Sequence, residues 1–366
     1  MKEIVVVGAG RIGATIADML AGSGDYGVTI IDRSADQLAA LDTGVGVKTR
    51  RVDIADPGAL AAVLAGKFAV LSAAPYHLTV PIAEAAAQAS VHYLDLTEDV
   101  KSTRRVKELA AIANCAFIPQ CGLAPGFITI VANSLAKKFD TLEDVRMRVG
   151  ALPQFPDNVL NYSLTWSPEG VINEYCEPCE AIVDGTLTEV APLEDREEFV
   201  LDGIAYEAFN TSGGLGSMCQ SMLGKVKNLS YRTIRYPGHA AIMKLLLNDL
   251  RLNGRRDLAK AIFEHALPTT SQDVVIVYVT ITGTKAGKPA TESYANAIFS
   301  GYVGQTRRSA IQITTAAGIS TVLDMLATGK LAQKGFVQQE QIALGDFLAN
   351  RFGRAYATEK ALSDVA

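Results

Sequence analysis

Residues suited to hold a metal are scarce in this chain. It has four histidines, widely scattered, and five cysteines, Cys115, Cys121, Cys176, Cys179 and Cys219. Cys176-x-x-Cys179 is a lone pair, with no second CxxC and no HxxxH beside it, so a tetrahedral zinc site is not expected and no metal is assigned. An odd cysteine count in 366 residues fits reduced thiols better than a disulfide framework. No apolar run approaches the roughly 18 residues that a membrane span needs. The first residues, MKEIVVVGAG, run into a glycine motif without a small-residue cleavage site. Basic charge is not in excess either: the net charge is −5, which gives no reason to expect nucleic acid or an anionic membrane as partner. The expectation is a cytoplasmic protein whose partner is a small metabolite.

What is present is ample apolar material. The chain is 49% hydrophobic and 20% charged, enough for a sizeable core and long enough for two domains or one large one. Over the first 120 residues strand and helix patterns alternate. Ile4–Val7 is a continuous apolar run, the mark of a strand buried on both faces. Further strands are read at Val28–Ile31, Lys48–Ile54, Phe68–Ser72, His92–Leu96 and Ala116–Pro119, with helices between them. That alternation predicts an α/β fold, a Rossmann-type doubly wound parallel sheet. After Gly126 the strands lengthen. Ala181–Val190 reads as a hairpin about Asp184-Gly185, and Asp273–Thr284 with Thr291–Phe299 as a second antiparallel pair joined by a Lys-Ala-Gly-Lys-Pro loop. Ile311–Ala327 is a long apolar helix ending at Gly329, expected to return to the first domain. The domains are therefore placed at 1–125 with 310–366, and at 126–309, the latter α+β with a mixed or antiparallel sheet.

Gly8, Gly10, Arg11, Ile12 and Gly13 form a GxGxxG that follows a buried strand and opens a helix, the context in which this motif binds a dinucleotide. Gly8 permits the tight turn, Gly10 lets a pyrophosphate approach the backbone, and Gly13 lets helix and strand pack closely. Asp32 ends the second strand, where a carboxylate accepts the ribose hydroxyls and repels a 2′-phosphate; NAD is favoured over NADP. Its neighbour Arg33 is able to meet a 2′-phosphate. Asp53 closes the third strand, either beside the adenine or as a helix cap before Pro57. Ser72, Ala73, Ala74 and Pro75 close the fourth strand, and small residues there allow close approach of the nicotinamide ribose.

Ligands of open α/β sheets bind beyond the carboxyl ends of the strands. That rule nominates Asp95 and Thr97 after the fifth strand, and Cys121 and Gly122 after the sixth. Asp95 is read either as a group that holds a substrate ammonium or passes a proton, or as a cap; Cys121 lines the nicotinamide or only packs. In the second domain Asn210, Thr211 and Ser212, followed by two glycines, offer amides and hydroxyls to a carboxylate, or make a turn. Arg235 suits a bidentate carboxylate clamp. His239, after Pro-Gly, is a general base or the start of the helix Ile242–Leu247. Ser167-Pro168 in Trp166–Gly170 caps a helix.

Together these runs, with Tyr93-Leu-Asp-Leu-Thr97, Cys121-Gly-Leu-Ala-Pro-Gly126, Trp166-Ser-Pro-Glu-Gly170, Asn210-Thr-Ser-Gly-Gly214 and Ile234-Arg-Tyr-Pro-Gly-His239, resemble the saccharopine dehydrogenase-like superfamily across nearly the whole chain. Within it the pattern is most similar to the lysine 6-dehydrogenase family. The resemblance implies NAD-dependent oxidation of the ε-amino group of L-lysine to a semialdehyde that cyclises, with release of ammonia. It also implies a first domain completed by C-terminal helices, and a homodimer. Saccharopine-cleaving relatives usually carry an Asp before the Pro-Gly of the sixth-strand loop and a His shortly after; here Ala124 stands there and no His follows until His239. The implied roles are His239 first and Asp95 second as base, and Arg235 with the Asn210 loop for the α-carboxylate. The alternatives are a saccharopine or carboxynorspermidine-type dehydrogenase, and, in another class, an NAD-binding sensor or assembly factor without turnover.

Overall fold

Ile4, Val5, Val6 and Val7 are all fully buried, as a strand covered on both faces requires, and they form β1 (Lys2–Val7) in the middle of a parallel sheet. The computed structural model describes residues 1–41, 44 and 46–357. It divides into two units, Met1–Ile130 with Gly301–Arg308 and the chain from Gln312, and Val131–Ser300 with Ser309–Ile311. The hairpin Gly301–Arg308, placed by the sequence in the second domain, thus belongs to the first unit.

The first unit continues with β2 (Tyr26–Asp32), β3 (Val47–Arg51), β4 (Ala69–Ser72), β5 (His92–Asp95) and β6 (Ala116–Ile118). Across the sheet the order is β6-β5-β4-β1-β2-β3, parallel throughout, with the short strand Gly335–Phe336 added beside β6. Sequence periodicity misses that seventh strand because two residues have no period. β3 stops at Arg51, so Asp53 lies in the loop beyond it rather than closing the strand. One core joins Val5, Val7, Ile31, Val70 and Tyr93 to Leu60, Val63, Ile82, Val106 and Leu109 of the covering helices. Burying each such side chain stabilises the fold by about 1.5–3 kcal/mol. The helix Ala310–Ala327 is long and apolar enough to cross a membrane, but 83% of it is buried, as befits a core helix. Gly318 lets it approach the backbone after β6: a Cβ there would stand 2.6 Å from the Cys121 carbonyl oxygen.

The second unit holds β7 (Thr141–Pro153), β8 (Cys179–Val183), β9 (Thr186–Val190), β10 (Glu197–Leu201), β11 (Ile204–Asn210), β12 (Val226–Arg235), β13 (Asp273–Lys285) and β14 (Lys288–Phe299). Their order is β10-β11-β12-β7-β13-β14, with β8 and β9 attached at β12. Only β12 and β7 run parallel, so the sheet is mixed. Three of its hairpins turn on two residues with positive φ: Asp184-Gly185, Asp202-Gly203 and Ala286-Gly287. Such turns follow the twist of the strands and let pairing continue to the turn itself. The expected five-residue loop between β13 and β14 is therefore only two residues, and Lys285 pairs with Lys288. One face of the sheet is covered by helices: Phe209 packs with Val171, Ile172 and Tyr175 of Pro168–Cys176, Ala240 and Met243 of His239–Lys244, and Phe263 of Arg256–Ala266. The helix expected at Ile242–Leu247 begins instead at His239 and passes into a π-helical turn, Leu245–Asp249.

Candidate functional site

In the first unit the three glycines separate by what surrounds them. Gly8 has φ +103°, and a Cβ on it would lie 2.8 Å from the Ala73 carbonyl oxygen. The turn after β1 is thus seated on the backbone after β4, where the Ala73 amide donates to the Val7 carbonyl and Ser72 is buried opposite Val7. Ala73 and Ala74 are half-buried, and Pro75 leads into the turn Tyr76–Leu78. A Cβ on Gly13 would meet the Gly8 carbonyl oxygen at 1.9 Å, so helix Arg11–Gly22 starts directly against the turn. Gly10 is exposed, with nothing within 4 Å of the Cβ position, and no side chain caps the helix that starts after it. Arg11 is exposed and Ile12 half-buried beside it. Uncapped amides at a helix start, next to a glycine with open space, fit a pyrophosphate.

Asp32 is half-buried; its Oδ2 accepts the Ala9 amide at 2.9 Å and its Oδ1 the Ser34 amide at 2.8 Å. Each oxygen keeps a lone pair for a ribose hydroxyl. Asp32 therefore also ties the glycine turn to the end of β2. Arg33 is exposed, and its carbonyl accepts Arg51 Nε at 3.0 Å. Asp53 is exposed and accepts the Ala55 amide; the helix cap considered for it belongs to Asp56, which accepts the Gly58 and Ala59 amides.

Beyond β5, Asp95 is almost fully buried. Its Oδ1 accepts the amides of Thr97 and Gln120 at 3.0 and 2.9 Å, and its Oδ2 the Tyr93 hydroxyl at 2.8 Å. Burial outweighs these bonds and pushes its pKa up to about 6. It caps no helix: Asp99 does that for Val100–Ile112, accepting the Ser102 amide. Thr97 is buried, its hydroxyl accepting the Asp99 amide. Glu98, which the sequence reading passed over, is half-buried; burial first, then the Asp99 and Asp95 charges, raise its pKa to about 7. Its one visible signal is its place three residues past the end of β5. The Cys121 thiol is buried, donates to the Ile118 carbonyl at 2.9 Å and accepts Gln339 Nε2 at 3.2 Å, and burial pushes its pKa far up. It packs. Gly122 bridges to Gly126, where a Cβ would lie 2.2 Å from the Gly122 oxygen.

In the second unit the polar loop residues are already engaged. Asn210 Nδ2 donates to the Ala191 carbonyl, the Thr211 and Thr233 hydroxyls share a hydrogen bond of 2.7 Å, and the Ser212 hydroxyl reaches the Asn173 carbonyl at 3.5 Å. All three side chains are buried. Ser167 does cap its helix, accepting the Gly170 amide with Pro168 in the first turn. Arg232 pairs with Asp195 and Glu197. Arg235 is different. It is 2% exposed and makes no ion pair with any described residue. Its Nε donates to Tyr175 Oη at 3.0 Å and its Nη1 to the Ile234 carbonyl at 2.8 Å, while the guanidinium lies 5.0 Å from the centre of the Tyr162 ring. His239, 1% exposed, sits 3.1 Å from Tyr175 Oη through Nε2 and 3.0 Å from the Leu160 carbonyl through Nδ1. Burial, then the Arg235 charge, lower its pKa to about 3. An imidazole held below the usual histidine range is a weaker base, which weighs against the general-base role read from the sequence. Glu207, fully buried and missed in the sequence, accepts the Ala240 and Gly238 amides at 2.7 and 3.1 Å, and so caps the helix that begins with His239.

Two family models match the chain: the saccharopine dehydrogenase NADP binding domain over residues 4–116 and the saccharopine dehydrogenase C-terminal domain over residues 122–352. Among curated proteins it is similar to the NADP-dependent, L-glutamate-forming saccharopine dehydrogenase of Pyricularia oryzae, 24% identical over 68% of this chain and 57% of that protein. The mitochondrial alpha-aminoadipic semialdehyde synthase of Rattus norvegicus is 23% identical over 52% of this chain and 21% of that protein. The chain thus spans little over half the length of the fungal relative. Among solved structures, apo L-Glu-forming saccharopine dehydrogenase from Saccharomyces cerevisiae superposes with a TM-score of 0.76 at 18% identity, covering 93% of this chain and 94% of that one. The homospermidine synthase of Legionella pneumophila, solved with NAD, gives 0.65 at 11%, covering 97% and 89%. These two likenesses establish the shared fold.

Proposed function

Because the chain belongs to the saccharopine dehydrogenase family, we propose that it oxidises the bond between the ε-carbon and nitrogen of a lysine-derived amine, using a nicotinamide nucleotide held by its first unit. In the net change a secondary or primary amine, water and the oxidised nucleotide give an aldehyde at the former ε-carbon, the released amine, the reduced nucleotide and a proton. The ε-carbon loses a hydride to the nucleotide, and water then breaks its bond to nitrogen. Saccharopine, whose released amine is glutamate, and L-lysine, whose released amine is ammonia, lose hydrogen at the same carbon. The names of the curated relatives support saccharopine. The observation that carries the reading is Arg235. A buried guanidinium with no carboxylate in ion-pair range among the described residues suits a carboxylate brought in by the substrate. One such cation favours lysine as a second reading, since saccharopine brings three carboxylates and Arg148 and Arg232 are already paired.

A bound nicotinamide supplies the hydride acceptor. The chain's part is to hold the pyrophosphate at Gly10 and the helix start, the ribose at Asp32, and the amine in its deprotonated form. Glu98, three residues beyond β5 and raised by burial above the usual carboxylate range, is the base we assign to that last task, since both oxygens of Asp95 are engaged. Asp32 supports NAD; the family model and the fungal relatives carry NADP in their names. The test is to mix the protein with L-saccharopine or L-lysine and either nucleotide, following the absorbance of the reduced nucleotide together with glutamate and ammonia. Glutamate from saccharopine establishes the first reading, and stoichiometric ammonia from lysine the second. Nucleotide binding with no turnover of either would move the protein to the sensor class.

A further inference from the structure

Four groups in the second unit form a hydrogen-bonded chain whose direction is forced from both ends. The Arg235 guanidinium can only donate, and it gives its Nε–H to Tyr175 Oη at 3.0 Å. The Leu160 carbonyl can only accept, and it lies 3.0 Å from His239 Nδ1, so the imidazole hydrogen is on Nδ1. Nε2 is then bare and accepts the Tyr175 hydroxyl hydrogen at 3.1 Å. The Tyr175 hydroxyl accepts once and donates once, and each imidazole nitrogen makes one bond. A proton added at Nε2 would face the hydroxyl hydrogen, turn it away, and place a second cation beside the buried Arg235. The rings hold the assembly in place: Phe209 stacks on His239 at 6.1 Å between centroids, and Tyr162 meets it edge-on at 5.3 Å. The ionisable groups around the imidazole are Arg235, Tyr162 and Tyr175, and Glu174 acts at longer range on Arg235 and on both tyrosines.

We propose that His239 and Tyr175 are positioning residues, which set the plane of Arg235 for one carboxylate of the substrate and move no proton. This rests on the reading above that Arg235 receives that carboxylate. Without Tyr175 Oη the guanidinium keeps only the Ile234 carbonyl and is free to turn about its last bonds. Preorganisation of this kind appears in substrate binding rather than in the chemical step.

Two measurements test it. The first needs no turnover: nitrogen-15 labelling of histidine followed by NMR, with His239 assigned through His239→Gln. The expected result is an Nδ1–H signal unchanged from about pH 5 to about pH 9; titration of His239 near neutral pH, in the range of an ordinary histidine, overturns the proposal. The second is steady-state kinetics on the substrate identified by the turnover assay. Tyr175→Phe is expected to raise KM about tenfold or more with kcat within about twofold. His239→Gln, whose amide oxygen can still accept from Tyr175 but which loses the Leu160 carbonyl, is expected to raise KM less than Tyr175→Phe does, with kcat within about twofold. A fall of kcat by about a hundredfold in His239→Gln, with loss of an ionisation from the pH–rate profile, would return His239 to proton transfer. If neither saccharopine nor lysine is turned over, the functional reading fails while the tautomer result stands by itself.

Discussion

Gly10 and Gly13 stand three residues apart in one motif, yet the structure assigns them opposite sensitivities. In helices generally, Gly→Ala stabilises by about 1 kcal/mol. At Gly13 the added Cβ would stand 1.9 Å from the Gly8 carbonyl oxygen, which is backbone and cannot swing aside. Helix and turn must separate, and forcing an atom into a packed site costs about 1–3 kcal/mol or more. The helix gain is outweighed, and Gly13→Ala is expected to lower the unfolding midpoint by several degrees, at about 2–4 °C per kcal/mol for domains of this size. Gly10 has φ −74° and ψ −177°, an extended conformation open to any residue, and no neighbour within 4 Å of a new Cβ. Gly10→Ala should therefore leave the midpoint unchanged or raise it slightly, by about 0.4–1 kcal/mol through the unfolded chain. Its cost falls on the ligand, because the methyl group enters the space offered to the pyrophosphate. A loss of about tenfold or more in NAD affinity, by calorimetric titration beside a thermal melt, is the expected result. If Gly10→Ala binds NAD as tightly as the parent, or Gly13→Ala melts no lower, the division of roles is wrong.

Glu98→Gln is expected to lower kcat by about a hundredfold, the usual range for a general base. In the parent, the deprotonated form is the active one, so activity should rise with pH through about 7, and that limb should vanish in the variant. Asp32→Ser should weaken NAD about tenfold and shift the ratio of the NAD and NADP dissociation constants toward NADP, because the carboxylate charge is gone while Arg33 and Arg51 remain alongside. Glu207→Ala would leave the Gly238 amide and the buried Ala240 amide without their acceptor. A loss of about 2–4 kcal/mol in denaturant unfolding is expected, and a variant as stable as the parent would show that water or another group replaces the cap.

Local order explains what was legible from residues alone. The strand at Ile4–Val7, the glycine turn and the Asp32 carboxylate lie within one strand–turn–helix unit and the strand after it, so spacing in sequence is spacing in space. The Asp184-Gly185 turn was read for the same reason, and Asp202-Gly203 carries the same signal. Ser167-Pro168 likewise announces its helix. The polar residues of the second unit were harder. Asn210, Thr211 and Ser212 read as a ligand loop because a polar run looks exposed, yet strands β11 and β12 bury it and use its hydrogen bonds internally. Asp95 and Asp99 are both acidic residues near a helix start, and only the backbone path decides which one caps.

The chain's order of residues determined the parallel sheet, the nucleotide turn and the family pattern, because each is written in local periodicity and in backbone demands that only glycine or a carboxylate meets. The tertiary structure alone decided the state of His239. Its neighbours Leu160, Tyr175 and Arg235 come from a loop, a helix and a strand, and Leu160 lies 79 residues before it in the chain. A side chain's protonation follows from what surrounds it in space. Burial from all sides and a neighbouring cation make the most obvious base in the sequence a hydrogen-bond acceptor held below the usual histidine range, which no local pattern announces.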